Sequence, residues 1–127
     1  MVTALPASAT DGNPYRADCP TRRILDHIGD RWTVLVVGVL AEGDARFSEL
    51  RRRIDGVSQK MLTQTLRALQ RDGLVTRTVY PEVPVRVEYA LTEAGRTLCE
   101  PLRALREWSV VHLGEVADSQ QAYDRAG

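Results

Sequence analysis

The 127 residues contain only two cysteines, Cys19 and Cys99, and two histidines, His27 and His112. Thiols so few and so far apart make neither a disulfide framework nor a zinc cluster, and the histidines have no acidic or thiol partner at metal-ligand spacing. No metal and no cofactor is expected. A nucleophile-and-base pattern, a glycine-rich phosphate loop and a paired-carboxylate motif are all missing, which argues against an enzyme. The start lacks a basic stretch followed by a sustained apolar run, and the longest apolar run, 33–41, is far too short to span a bilayer. These absences point to a soluble cytoplasmic protein, nucleoid-associated if it binds DNA, with no membrane contact.

An excess of either charge is lacking too, since the formal net charge is zero. The distribution is uneven. Residues 45–96 hold ten basic side chains against six acidic ones, while the segments before and after are each acidic by two. Positive charge thus gathers in the middle third, as binding to a polyanion requires. The length suits one domain with its own core. Residues 1–16, rich in Ala, Thr, Ser, Pro and Gly without periodicity, read as a flexible tail, and 17–127 as the single domain.

Within that domain Pro20 suits the first position of a short helix running to about Ile28, ended by Gly29. Asp30 can cap the next segment, from Trp32 to Ala41. This segment is apolar on every side and rich in valine, so periodicity alone leaves it as either a buried helix or a buried strand. Ser48 is expected to cap a helix to about Ile54, with Phe47, Leu50 and Ile54 inward; Asp55-Gly56 turns the chain. A helix opening at Ser58 is stopped by Gly73. Two strand-like runs, 74–80 and 85–91, flank Pro81-Glu82-Val83-Pro84, a tip whose prolines offer no N–H donors. Thr92 is expected to cap the last helix, where Pro101 implies a kink or a restart near Cys99.

Two helices, a tight turn and a proline-tipped hairpin are the order of a DNA-binding helix-turn-helix with a wing. The expected class is α+β, mostly α. On the Ser58 helix, Met61, Leu62, Leu66, Ala68 and Leu69, with Thr65 in part, fall on one side at about 100° per residue. Gln59, Lys60, Thr63, Gln64, Arg67, Gln70 and Arg71 fall on the other. That side carries amides, hydroxyls and cations but no carboxylate, the groups that meet base edges and phosphates. Arg51, Arg52 and Arg53 read as a solvated face.

Several strings occur in order: Cys19-Pro20; 25–32, LDHIGDRW; 46–50, RFSEL; 58–63, SQKMLT; and 80–95, YPEVPVRVEYALTEAG. Together, over 19–113, they closely resemble the HxlR-type winged-helix regulators, themselves distantly similar to MarR-type proteins. Asp30 departs from the small residue frequent there, and the tail before Cys19 has no family counterpart. The resemblance implies a bacterial transcription factor that dimerises through its terminal helices and binds operator DNA. It also makes the Trp32 segment a helix. Leu25, Leu102, Leu105, Trp108 and Leu113 are then the dimerisation residues.

A two-fold dimer would place its recognition helices in successive major grooves about 34–36 Å apart, favouring a palindromic, inverted-repeat operator in double-stranded DNA. Gln59, Thr63 and Gln64 are the candidates for base edges. Lys60 and Arg67 suit bases or phosphates. Arg46, Ser48, Ser58 and Arg86 suit the backbone, with Pro84 at the wing tip. On this reading Arg86→Ala weakens all sequences alike. The expected function is a homodimeric repressor answering a small-molecule effector or a thiol-reactive signal; the alternative is a winged-helix module that binds protein rather than DNA. In some members of the resembled family a cysteine at the place of Cys19 senses oxidants. A helix N-terminus favours its thiolate, whereas neighbouring Asp18 opposes it and a buried cysteine is more often a small hydrophobe.

Overall fold

The buried helix at the centre of the molecule is the segment whose periodicity was ambiguous. In the computed structural model, which describes residues 12–127, α1 (Pro20–Ile28) leads through Gly29 and Asp30 into α2 (Arg31–Leu40). The Asp30 carboxylate accepts the Trp32 N–H at 2.8 Å, capping the new helix. Thr33, Val36, Val37, Val39 and Leu40 of α2 are all buried. Valine costs a few tenths of a kcal/mol relative to alanine in a helix, while burying it contributes about 1.5 kcal/mol or more, so burial outweighs propensity here. Helix α2 packs against α1, three later helices and the last strand.

The remaining order is β1 (Ala45–Arg46), α3 (Phe47–Arg53), α4 (Gln59–Arg71), β2 (Val75–Tyr80), β3 (Arg86–Leu91), α5 (Glu93–Arg96) and α6 (Cys99–Ala126). The strands form one antiparallel sheet in the order β1-β3-β2. Residues 45–46 form a strand too short to show any periodicity in the sequence. Ala45 pairs with Tyr89 and Arg46 with Glu88. In the hairpin, Val75 pairs with Leu91 and the ladder runs out to Tyr80 opposite Arg86. Leu40, Leu50, Leu62, Leu66 and Leu69 are fully buried between the helices and this sheet.

Two caps differ from expectation. Ser48 does not cap α3; it lies exposed in the first turn, and Arg46 holds the cap position. The Glu49 carboxylate accepts the Arg46 N–H at 3.1 Å and satisfies the helix start instead. Thr92 does cap a helix, accepting the Gly95 N–H at 3.0 Å, but that helix is the four-residue α5. The chain restarts at Cys99, with Pro101 in the first turn of α6, where its missing N–H breaks no helical bond. Helix α6 then runs 28 residues, about 42 Å at 1.5 Å per residue.

Residues 1–11 lie outside the described residues, so most of the expected 1–16 tail does too. Residues 14–18 form turns leading to Cys19, whose N–H donates to the Arg16 carbonyl at 3.1 Å.

Candidate nucleic-acid interface

Helix α4 is held at both ends by local bonds. The Ser58 hydroxyl accepts the Met61 N–H at 3.1 Å at the start. At the end Gly73 has φ +75°, which L side chains rarely adopt. It closes a Schellman motif in which Leu74 N–H donates to Leu69 carbonyl at 2.9 Å and Gly73 N–H to Gln70 carbonyl at 3.0 Å. The Gly73 carbonyl in turn accepts the Thr92 hydroxyl at 2.7 Å, stitching the helix end to the end of the hairpin.

Leu62, Thr65, Leu66 and Leu69 anchor α4 in the core, which turns the opposite side outward. Lys60, Gln64, Arg67 and Arg71 are exposed along that ridge. Met61, assigned to the apolar side, is 40% exposed at its edge. On the wing side, Gln59, Thr63, Arg67 and Gln70 line an open cleft of about 540 Å³ between α4 and the hairpin. Phe47, Leu66, Val87 and Tyr89 complete its apolar wall, and one further cation enters it, Arg77 of β2.

Charge pairing separates the arginines. Arg53 pairs with Glu42 at 3.0 Å, and Arg103 pairs with Glu100 and Glu107. These contacts hold Glu100 below the ordinary carboxylate range, chiefly by its hydrogen bond from Arg103. Among the described residues, no carboxylate forms an ion pair within 4.0 Å with the side-chain cation of Arg46, Lys60, Arg67, Arg71 or Arg77. Four of these five lie on α4 or in the cleft.

Arg86 is placed differently from expectation. Its guanidinium lies 3.9 Å from the Tyr80 ring centre, 2.8 Å from Glu82 and 2.6 Å from Glu88. Those carboxylates, the Glu82 hydrogen bond first, raise its pKa above the usual arginine value. Its charge is already answered within the wing. Arg46, opposite Glu88 in the sheet, shares that face, because directly paired residues project to the same side. The structure thus brings Gln59, Thr63 and Arg67 together at the cleft, with Lys60 and Gln64 on the adjacent ridge, and leaves Arg46 and Arg86 on the far face of the sheet. Ser48 and Ser58 are exposed at the first turns of their helices, and Pro84 at the wing tip.

Arg77 was not among the sequence candidates. The cue was present: in a strand, Val75, Arg77 and Val79 share one face, and buried Val75 marks it as the inner one.

Residues 27–117 match the family model described as HxlR-like helix-turn-helix. This chain belongs to the HxlR family. Among its relatives is the HTH-type transcriptional regulator YtfH of Escherichia coli K12, 48% identical over 106 residues that cover 84% of each chain. The solved structure of the regulator YtfH from Salmonella typhimurium superposes with a TM-score of 0.82 at 43% identity, covering 87% of this chain and 98% of the other. The redox regulator HypR in its oxidised form superposes at 0.68 with 43% identity, covering 73% and 96%. Like other HxlR proteins, this one is a winged helix-turn-helix transcriptional regulator, with α3 and α4 as its helix pair and β2–β3 as its wing. Among the described residues, no helix is long and apolar enough to cross a membrane.

Away from the DNA side, the long HxlR-type C-terminal helix carries an apolar stripe. Leu105, Trp108, Leu113 and Val116 project from α6, each at least 40% exposed, and Leu25 is half exposed on α1. The Trp108 and His112 rings stack with centres 4.5 Å apart on the same stripe. Leu102 does not belong with them. It is 3% exposed within a single subunit and packs into the core, so it anchors α6 rather than facing a partner. Cys19 is buried at the cap of α1, and Cys99 packs partly buried against the core cluster.

Proposed function

We propose that this regulator works as a homodimeric repressor that reads an inverted-repeat operator with paired recognition helices. The outward face of α4, free of carboxylates and carrying unpaired Lys60, Arg67 and Arg71 beside Gln64, is the observation that carries this reading. Gln59, Thr63 and Gln64 present the amide and hydroxyl groups that discriminate base edges, and Lys60 and Arg67 reach bases or adjacent phosphates. Ser48, Ser58 and Arg46 supply backbone contacts, and Pro84 shapes the wing tip. The exposed stripe of α6, with Leu25 of α1, supports a two-fold partner, since leaving so many large apolar side chains in water is costly.

For the signal, Cys19 is the favoured entry point. It stands at the N-cap position of α1, beside the ion pair that Arg16 makes with Asp18 at 3.4 Å. Solved relatives include the redox regulator HypR.

The reading is tested by capturing genomic fragments on the purified protein and measuring duplex affinity against salt. A repeated inverted motif, bound with an affinity that falls steeply as salt rises, supports it. Indifference to duplex DNA, or binding by a strictly monomeric protein to a single half-site, overturns it.

A further inference from the structure

The cleft beside α4 sets a cation that base reading does not use, Arg77, beside residues of the recognition face. Its helix side offers Gln59, Thr63 and Arg67, its hairpin side offers Arg77, and no acid is among its lining residues. Arg77 pairs with Tyr89 across the hairpin, so the two side chains project to the same face, and buried Tyr89 fixes that face as the one toward α4. Glu88 and Arg86, one step out of phase with Tyr89 on β3 and joined to one another by a 2.6 Å ion pair, belong to the opposite face.

We infer that the cleft seats the sugar-phosphate backbone of one DNA strand, with a phosphate bracketed by Arg67 and Arg77, and that Arg86 is a positioning residue which braces the wing. This deepens the DNA-binding reading and rests on it. A phosphodiester fits because the two guanidiniums have no carboxylate partner and line the same acid-free cleft. The apolar wall excludes water behind them and suits the sugar. Arg86 cannot take this role without giving up Glu82 and Glu88 and crossing to the other face of the sheet. Its contacts with Tyr80, Glu82 and Glu88 tie both strands to the tip of the hairpin.

The test is fluorescence polarisation with a mixed-sequence duplex of about 30 base pairs, long enough for two half-sites one helical turn apart. Affinity is measured from about 50 to 200 mM salt for the full chain and four variants. Each phosphate contact contributes about 0.9 to the slope of log affinity against log salt, so removing one from each subunit lowers it by about 2. Arg77→Ala and Arg77→Gln are expected to show that loss, Arg77→Lys to keep most of the slope, and Arg86→Ala to keep all of it while lowering affinity. An unchanged slope in folded Arg77→Gln, or a loss of about 2 in Arg86→Ala, overturns the inference while leaving the DNA-binding reading intact. Absence of salt-dependent binding by the unaltered protein overturns that reading itself.

Discussion

His27 Nδ1 lies 2.7 Å from Asp72 Oδ2. The pair joins α1, the helix that Cys19 caps, to the residue that closes the recognition helix, 45 positions further along the chain. Both side chains are less than one-third exposed, so water competes only in part. The contact thus ties the last turn of α1 to the end of α4.

Breaking that contact should cost stability in a coupled way. His27→Ala and Asp72→Ala are each expected to destabilise by about 1 kcal/mol, and the double variant by clearly less than their sum. Urea denaturation of all four proteins gives the coupling. Strict additivity would show that the two side chains merely sit side by side.

Cys19 is 5% exposed, so a thiol reagent should react slowly with the native protein and faster when α1 loosens. His27→Ala is accordingly expected to speed alkylation of Cys19 severalfold, with Cys99 as the internal comparison. Treatment with a mild electrophile should then weaken duplex binding in the unaltered protein and not in Cys19→Ser. A Cys19→Ser protein that responds fully removes Cys19 from the mechanism.

Leu102 and Trp108 lie on the same helix, one buried and one exposed, and should fail differently. Leu102→Ala empties a core position and is expected to lower stability by about 3 kcal/mol. Trp108→Glu places charge on an exposed position and should leave each subunit folded while shifting the dimer to monomers. Sedimentation velocity alongside thermal melting separates the two outcomes. A monomeric unaltered protein would refute the dimer outright.

Gly95 has no room for a side chain. A Cβ there would lie 2.0 Å from the Leu74 carbonyl oxygen, a backbone atom that cannot swing aside. Gly95→Ala is expected to cost about 3 kcal/mol by overpacking and to part the recognition helix end from the wing. Stability near that of the unaltered chain, seen by calorimetry, would contradict this packing.

The Glu100 carboxyl, hydrogen-bonded and attracted by Arg103, titrates below the ordinary value of 4.5. A depressed folded value means that the contribution is complete above 4.5 and fades as pH falls through the depressed value. In Arg103→Ala the Glu100 titration should move back toward 4.5, followed by carbon-detected NMR. No movement would mean the pair does not persist in water.

The recognition helix was legible because three kinds of cue agreed: Ser58 as cap, Gly73 as stop and an apolar period between them. The wing was legible from two apolar runs around paired prolines. Strand β1 was not, since two residues show no alternation and their pairing partners lie more than 40 positions away. The cap of α3 differs from expectation because Ser48 has the right chemistry two residues too late, whereas Glu49 satisfies the helix start from within. Arg86 shows the same limit. Its acidic neighbours are visible in the sequence, but only the folded hairpin sets Glu82 and Glu88 around it and Tyr80 beneath it.

Local chemistry along the chain determined the helix order, the acid-free face of α4, the hairpin and the concentration of cations in the middle third. Each follows from interactions within a few residues. The tertiary structure decided which cations remain unpaired, that Arg77 rather than Arg86 looks into the cleft, and that Leu102 turns inward while Leu105 and Trp108 turn out. A side chain's periodicity tells which residues share a face, but what that face meets depends on elements brought in from elsewhere in the chain.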